Sequence, residues 1–92
     1  MVAVSFRITG RVQGVGFRYF TLRAASRLGL RGWVRNEPDG SVLCNASGEP
    51  AAMDELRKIL WRGPTFGRTD DIAETPLSEE TAALLPRFTI DV

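Results

Sequence analysis

The first residues of the chain alternate between apolar and polar side chains. Val2, Val4, Phe6 and Ile8 occupy every second position, with small or polar residues between them. In a β-strand, this spacing places all of these side chains on one face of the sheet. The pattern therefore predicts a first strand over residues 2–9 with one buried face.

After a glycine-rich segment, the spacing of the apolar residues changes to three and four. At these spacings Phe17, Phe20, Ala24 and Leu28 lie along one stripe of an α-helix. Gly29 is suited to end the helix, because glycine readily takes the left-handed conformation found just past helix ends. The pattern predicts a first helix that packs through this stripe.

The next segment predicts a β-hairpin. Residues 30–36 contain a β-prone tryptophan and valine, and residues 41–46 alternate again. Between them, residues 37–40 read Glu-Pro-Asp-Gly, in which proline and glycine favour the backbone angles of a tight turn. Cys44 falls on the apolar face of the third strand, so we expect a small core residue and not a reactive thiol.

The remainder of the chain predicts a second helix and two further strands. Residues 49–62 carry an apolar stripe at helical spacing, and a Gly-Pro pair follows it. Residues 66–75 predict a less regular fourth strand, and Ser78 begins a helical turn in the connection that follows. Alternating apolar residues from 88 to 92 predict a short final strand.

This order of elements, β-α-β-β-α-β with a final strand, indicates the α+β class. Because each strand has one apolar and one polar face, we expect an antiparallel sheet with both helices on one face. That arrangement is a ferredoxin-like α/β sandwich. A chain of this length supports one core, so we expect a single domain over residues 1–92. The fold hosts many unrelated functions, so the function must be sought in particular residues.

The composition is that of an ordinary globular protein, with 43% hydrophobic and 25% charged residues. No apolar run approaches the length of a membrane span, and the first residues lack the pattern of a secretory signal. The single cysteine agrees with a reducing compartment, so we expect a cytoplasmic protein that binds no membrane. The absence of histidine excludes the usual zinc sites and catalytic triads.

The net charge of +1 conceals an uneven distribution. Residues 1–36 contain seven arginines and no acid, whereas residues 37–92 contain five basic residues and eleven acids, so the two parts carry +7 and −6. Such asymmetry suggests that the first part meets an anion, either a nucleic acid or a small phosphorylated molecule. Salt bridges between the two parts across the fold would explain a share of this charge asymmetry without any ligand.

The strongest candidate for a functional segment runs from Gly10 to Arg18. It joins the first strand to the first helix and contains three glycines and two arginines in nine positions. Glycine lets consecutive amides point into one concavity, and the helix adds its positive N-terminal end. Arg18 can add a planar fork of donors that matches phosphate oxygens. Two alternatives stay open, a tight turn without a ligand and an arginine that faces only solvent.

Asn36 ends the second strand and could lie near the mouth of this loop in the predicted sheet. Its side-chain amide both donates and accepts, so it could hold a water molecule against a bound phosphate. The alternative is a turn residue whose side chain serves only its own hairpin.

Two segments resemble the signatures of the acylphosphatase family. Gly10 to Arg18 is similar to the first signature, and Gly32 to Asn36 is similar to the second. Further matches lie at the intervals that the family has: Gly40, Val42, Gly48, Gly63, Pro64, Arg68, Phe88, Thr89 and Ile90. The resemblance covers nearly the whole chain, and two signatures in register make it specific.

The resemblance implies an enzyme that hydrolyses the carboxyl-phosphate bond of acyl phosphates without a metal or organic cofactor. Arg18 matches the family's phosphate-binding arginine, and Asn36 matches its water-orienting asparagine. The backbone that matches the family's phosphate cradle belongs to Gln13, Gly14, Val15, Gly16 and Phe17. We therefore expect a monomer whose partner is a small-molecule acyl phosphate.

Three residues depart from the family pattern. Gly67 and Thr69 stand where the family often has alanine and valine, which leaves the packing of the fourth strand to be established. Glu37 brings a carboxylate next to Asn36, and its side chain points away from the site if the strand alternates.

Two other functions stay open from the sequence. A non-catalytic module could bind phosphate or another anion with the same cradle. RNA binding on the sheet is disfavoured, because the third strand lacks the glycine and stacked aromatics of RNA-recognition domains. We therefore expect no nucleic-acid partner.

Overall fold

The computed structural model describes residues 1–92. It contains the predicted strands and helices in the predicted order, with ends that differ by one or two residues. Their bounds are β1 (Val2–Arg11), α1 (Phe17–Arg27), β2 (Arg31–Asn36), β3 (Val42–Gly48), α2 (Pro50–Arg62), β4 (Arg68–Pro76), α3 (Glu79–Ala83) and β5 (Thr89–Ile90).

The five strands form one sheet in the order β4-β1-β3-β2-β5. β1 pairs antiparallel with β3 and with β4, and β2 pairs antiparallel with β3. α1 and α2 pack against the sheet and contribute to one shared core. The arrangement confirms the ferredoxin-like α+β fold, and it separates β1 from β2 by one strand.

The last strand makes the sheet mixed and not wholly antiparallel. β5 pairs with β2 in parallel. The connection between β4 and β5 leaves one edge of the sheet and reaches the opposite edge, at the end where β2 begins. β5 must then run in the same direction as β2. As a result, the last residues of the chain lie toward the end of β2 that carries Asn36.

One hydrophobic core lies between the sheet and the two long helices. β1 and β3 contribute side chains at alternate positions, among them Phe6 and Val42, and the helices contribute Phe17 and Leu56. Cys44 is fully buried here, and burial raises the pKa of its thiol to about 12. It is therefore a core residue, as the alternation predicts.

The buried side of α1 includes a polar residue that the apolar pattern does not indicate. Thr21 is fully buried, and its hydroxyl donates to the carbonyl oxygen of Phe17 at 2.9 Å. This bond within the helix satisfies the hydroxyl, so the side chain can lie in the core. Phe20 and Leu28, which the pattern places on the buried stripe, are only partly buried and pack at the edge of the core.

β4 forms an edge of the sheet and is joined to α2 by a side chain. The Thr69 hydroxyl donates to the carbonyl oxygen of Leu60 at 2.7 Å. A Cβ at Gly67 would stand 3.0 Å from the Pro64 ring and 3.1 Å from the Arg11 carbonyl oxygen, so a larger residue would press on both. The departures at 67 and 69 therefore fit the local packing.

The connection after β4 contains the predicted helical turn. Ser78 precedes α3, and its hydroxyl oxygen accepts a hydrogen bond from the Thr81 amide at 3.1 Å. None of the helices combines the length and apolar character that crossing a membrane requires.

Candidate active site

The loop that joins β1 to α1 contains two glycines with left-handed backbone angles. Gly14 has φ 75° and Gly16 has φ 80°. Side chains rarely tolerate such angles, whereas no atom would lie within 4 Å of a Cβ at either position. The backbone angle, and not lack of space, therefore calls for glycine. Gly16 immediately precedes α1, where no side chain caps the helix.

The backbone amides of this loop and of the first turn of α1 make no hydrogen bonds within the protein. None of the amides from Gln13 to Tyr19 donates to a protein acceptor, and the first helical bond runs from Phe20 to Gly16 at 3.0 Å. A helix leaves its first amides without helical partners, and the loop lengthens this run. Because the positive end of the helix dipole lies at the same place, the segment is suited to bind an anion.

A cleft of about 460 Å³ brings the predicted side chains together. Gly14, Gly16 and Phe17 line it from the loop and the start of α1, and Arg18 lines it from the first helical turn. Asn36 lines it from the end of β2, and the C-terminal residues Ile90 and Val92 complete it. The cleft therefore unites residues from the loop, β2 and the segment that ends the chain.

The Asn36 side chain presents a buried oxygen without a hydrogen-bond donor. Its Oδ1 is inaccessible to solvent and has no partner in the protein. The hairpin does not use this side chain, because the Asp39 carboxylate accepts from the Ser41 amide at 2.9 Å and from its hydroxyl at 2.6 Å. The alternative in which Asn36 serves its own turn is therefore wrong. A buried acceptor without a donor destabilises the fold by about 1–3 kcal/mol, so packing of the hairpin does not explain an asparagine at this position.

Two of the predicted cradle residues do not line the cleft. Val15 is partly buried against the core. The side-chain amide of Gln13 instead donates to two carbonyl oxygens of the hairpin, those of Glu37 and Ser41, each at 2.8 Å. These bonds join the loop to the segment directly after Asn36. The sequence suggested a role only for the Gln13 backbone. The signal for a side-chain role was a long side-chain amide in a glycine-rich loop.

The carboxylate of Glu37 lies near Arg35 and not in the cleft. Its oxygen is 3.5 Å from an Arg35 guanidinium nitrogen, and Arg35 also stacks over the Trp33 ring at 4.6 Å. Residues 33, 35 and 37 share the face of β2 opposite to Asn36, as strand alternation predicts. The acid next to Asn36 therefore adds no negative charge to the cleft.

Pairing between the two parts of the chain accounts for only some of the charge asymmetry. Among the seven arginines of residues 1–36, Arg7 pairs with Asp39 at 3.1 Å, and Arg35 pairs with Glu37 and Asp91. The hydrogen bonds from Ser41, helped by Arg7, hold the pKa of Asp39 below its usual value. The other five arginines form no salt bridge: Arg11, Arg18, Arg23, Arg27 and Arg31. Nor do three or more potential metal-ligating side chains lie together anywhere.

Known proteins share both the sequence and this fold. The family model described as Acylphosphatase matches residues 4–90. An acylphosphatase from Nitratidesulfovibrio vulgaris is 53% identical over 70 residues, covering 76% of this chain and 70% of the relative. One from Oceanobacillus iheyensis is 47% identical over 79 residues, covering 85% and 87%. The crystal structure of acylphosphatase from Bacillus subtilis superposes with a TM-score of 0.92 at 36% identity, covering 100% of both chains. The chain therefore belongs to the acylphosphatase family.

Proposed function

We propose that the loop amides and Arg18 hold the phosphoryl group of an acyl phosphate while Asn36 orients the attacking water. Hydrolysis of acyl phosphates follows from the family to which the chain belongs. The assignment of roles rests on one observation. A single cleft is lined by residues with unbonded backbone amides, by an arginine without a carboxylate partner and by Asn36, whose side-chain oxygen has no donor in the protein.

The loop and Arg18 supply what phosphoryl transfer requires most. Charge in the transition state is spread over the non-bridging oxygens of the phosphoryl group, so fixed donors around them lower the barrier. The unbonded amides from Gln13 to Tyr19 are such donors, and they are already ordered by the left-handed turns of the loop. Arg18 adds a planar guanidinium with full positive charge.

Asn36 is suited to direct the water molecule. Its side-chain amide lines the cleft and can hydrogen-bond a water molecule there, so that an oxygen lone pair of the water turns toward phosphorus. Gln13 fixes the distance between this residue and the loop, because its two hydrogen bonds hold the hairpin against the loop. Nucleophile and phosphoryl group are then positioned by parts of the fold that are tied together.

The reaction needs no titrating side chain in the cleft. Water forms a bond to phosphorus, the bond from phosphorus to the acyl oxygen breaks, and the acyl group leaves as a carboxylate. The carboxylate is a good leaving group, and the proton of the attacking water passes to a phosphoryl oxygen of the substrate. The protein contributes position and electrostatic stabilisation, which a chain without histidine can provide.

A non-catalytic anion-binding module is not favoured. The relatives that match most of this chain carry the name of an enzyme, and the cleft holds Asn36 in addition to the donors that anion binding alone would need. We further infer that residues 1–92 act as one domain and as a monomer in the cytoplasm. The single buried, reduced cysteine and the ordinary composition support that setting.

The proposal is tested by measuring benzoyl phosphate hydrolysis with the Arg18→Ala variant. We expect kcat/KM to fall by about 1000-fold or more, the scale of effect of an arginine that stabilises a transferring phosphoryl group. Arg87→Ala is the matched control, because Arg87 is exposed and does not line the cleft.

Two outcomes contradict the proposal. One is an unmodified chain that binds phosphate but does not turn over benzoyl phosphate, which favours a binding module. The other is Arg18→Ala with kcat/KM within a few-fold of the unmodified chain, which removes Arg18 from the phosphate site.

A further inference from the structure

We propose that the buried hydroxyl of Thr21 strengthens one of the backbone donors that hold the phosphoryl group, the amide of Arg18. Thr21 is then a positioning residue of the site, although it does not line the cleft. This inference rests on the proposed function, because that function assigns the phosphoryl group to the unbonded amides of the loop and of the first turn of α1.

The Thr21 hydroxyl and the Arg18 amide belong to the two ends of one peptide unit. The hydroxyl donates to the Phe17 carbonyl oxygen at 2.9 Å, and the carbon of that carbonyl is bonded to the Arg18 nitrogen. The helical hydrogen bond from the Thr21 backbone amide uses the same oxygen. Because resonance couples the oxygen and the nitrogen of a peptide unit, donors at the oxygen draw electron density from the nitrogen. The Arg18 N–H is therefore a stronger donor.

The two ends of this peptide unit lie in different surroundings. Thr21 is fully buried and Phe17 is 1% exposed, so the bond to the carbonyl oxygen lies away from water. Hydrogen bonds are stronger in such an environment and polarise their neighbours more. The Arg18 amide has no acceptor within the protein, and Arg18 lines the cleft. Polarisation that begins in the core thus acts on a donor that is free to bind a ligand.

The extra donor is specific to this peptide unit. The amides of residues 13–19 share their peptide units with the carbonyls of residues 12–18. Side chains donate to backbone oxygens at several other places, such as Leu60 and Leu85, but among residues 12–18 only to that of Phe17. The strengthened amide therefore belongs to Arg18, the residue that also supplies the guanidinium.

Packing does not explain a hydroxyl at position 21. Thr21 lies on the buried side of α1 with Phe17, Ala24 and Ala25. Valine has nearly the same shape and helix propensity, and it would bury no polar atom there. A hydroxyl that bonds to the carbonyl four residues earlier also weakens a helix slightly. Because threonine gives the fold no advantage over valine, the hydroxyl points to a role in the site.

The test measures benzoyl phosphate hydrolysis and urea denaturation of Thr21→Val and Thr21→Ser. Thr21→Val keeps the shape of the side chain and removes the donor. We expect its kcat/KM to fall by about two- to fivefold, since polarisation strengthens a hydrogen bond by about a tenth to a third and the acceptor is charged. Its urea midpoint stays equal or rises. Thr21→Ser keeps the donor and loses a buried methyl group, so its kcat/KM is retained while its urea midpoint falls.

Amide chemical shifts report the polarisation directly. We expect the Arg18 amide resonance to move upfield in Thr21→Val and to stay in place in Thr21→Ser. The inhibition constant for inorganic phosphate rises in Thr21→Val by a factor similar to the loss of kcat/KM. Thr69→Val is the matched control, because the Thr69 hydroxyl also donates to a backbone carbonyl and Thr69 does not line the cleft. It leaves kcat/KM and the Arg18 amide unchanged.

Unchanged kcat/KM or an unchanged Arg18 amide in Thr21→Val overturns the inference, whereas the proposed function stands if the unmodified chain hydrolyses benzoyl phosphate. Losses of kcat/KM that follow the urea midpoints in both Thr21 variants also overturn it, because they indicate a role in packing alone. An equal loss in Thr69→Val overturns it for the same reason. Absence of benzoyl phosphate hydrolysis by the unmodified chain contradicts the proposed function itself, so the two failures are distinguishable.

Discussion

Two turns of this molecule lie side by side and treat their polar groups in opposite ways. The hairpin between β2 and β3 satisfies itself: the Asp39 carboxylate accepts from Ser41, and the Glu37 amide donates to the Ser41 carbonyl at 2.9 Å. The loop between β1 and α1, together with the first turn of α1, leaves the amides from Gln13 to Tyr19 unbonded. Both turns contain glycine with left-handed angles, so glycine content does not distinguish them. The two turns differ in their unsatisfied backbone donors, which indicate that the loop between β1 and α1 binds a ligand.

The two turns are also mechanically connected. The Gln13 side chain reaches from the loop to the hairpin, and Asn36 stands where the hairpin begins. A turn whose polar groups are hydrogen-bonded to one another is rigid, and a rigid turn can hold the loop and Asn36 at a fixed distance. The hairpin therefore serves the site without entering it.

The largest effect among the substitutions that probe this comparison is expected for Asn36→Ala. We expect kcat to fall by about 100-fold or more with little change in KM, because an oriented water matters mainly in the transition state. Steady-state kinetics with benzoyl phosphate measure both constants. Asn45→Ala is the control, since Asn45 also has a buried oxygen without a donor but does not line the cleft. A rise in KM at unchanged kcat would remove Asn36 from the role of water-orienting residue.

An intermediate effect is expected for Gln13→Leu, which removes the connection between the two turns. We expect kcat/KM to fall by about tenfold and the free energy of unfolding to fall by about 1 kcal/mol for the lost hydrogen bonds. Gln13→Glu replaces the donor by an acceptor beside two carbonyl oxygens, so its activity should be lower than that of Gln13→Leu. Kinetics and urea denaturation measure the two quantities. Full activity in Gln13→Leu would show that the loop does not depend on the hairpin.

The smallest effect is expected for Asp39→Asn, which changes only the hairpin. Hydrogen bonds from Ser41 lower the pKa of Asp39 from its usual 3.8, so the folded protein binds fewer protons here than the unfolded chain. The stabilisation is present above pH 3.8 and is lost as the pH falls through the lowered pKa of the folded state. Urea midpoints of Asp39→Asn should therefore be slightly below those of the unmodified chain at neutral pH and equal to them at about pH 2. A loss of kcat of tenfold or more in this variant would place the hairpin in the catalytic machinery.

Local patterns predicted most of the fold because each element carries its own signal. Alternation in β1 and the Glu-Pro-Asp-Gly turn need no knowledge of distant residues. The parallel pairing of β5 was missed, because its direction depends on which end of the sheet the preceding connection crosses. Thr21 was missed for a related reason, since a hydroxyl enters the core only when a partner such as the Phe17 carbonyl is in reach.

The candidate site also has features that the sequence predicted and features that it did not. Arg18 and Asn36 were proposed from motifs, and the fold brings them to one cleft. The two hydrogen bonds from Gln13 to the hairpin arise from contacts between elements distant in the chain. No single segment of sequence carries them, so they could be found only in three dimensions.

Inorganic phosphate titrated into the protein, followed by amide chemical shifts, tests most directly whether the unbonded loop amides hold the phosphoryl group. We expect the largest shifts at the amides of residues 13–19 and at the side-chain amide of Asn36, with the hairpin amides of residues 39–41 changing little. Arg18→Ala should abolish these shifts. Shifts that are largest in the hairpin, or a loop that does not respond to phosphate, would contradict the account.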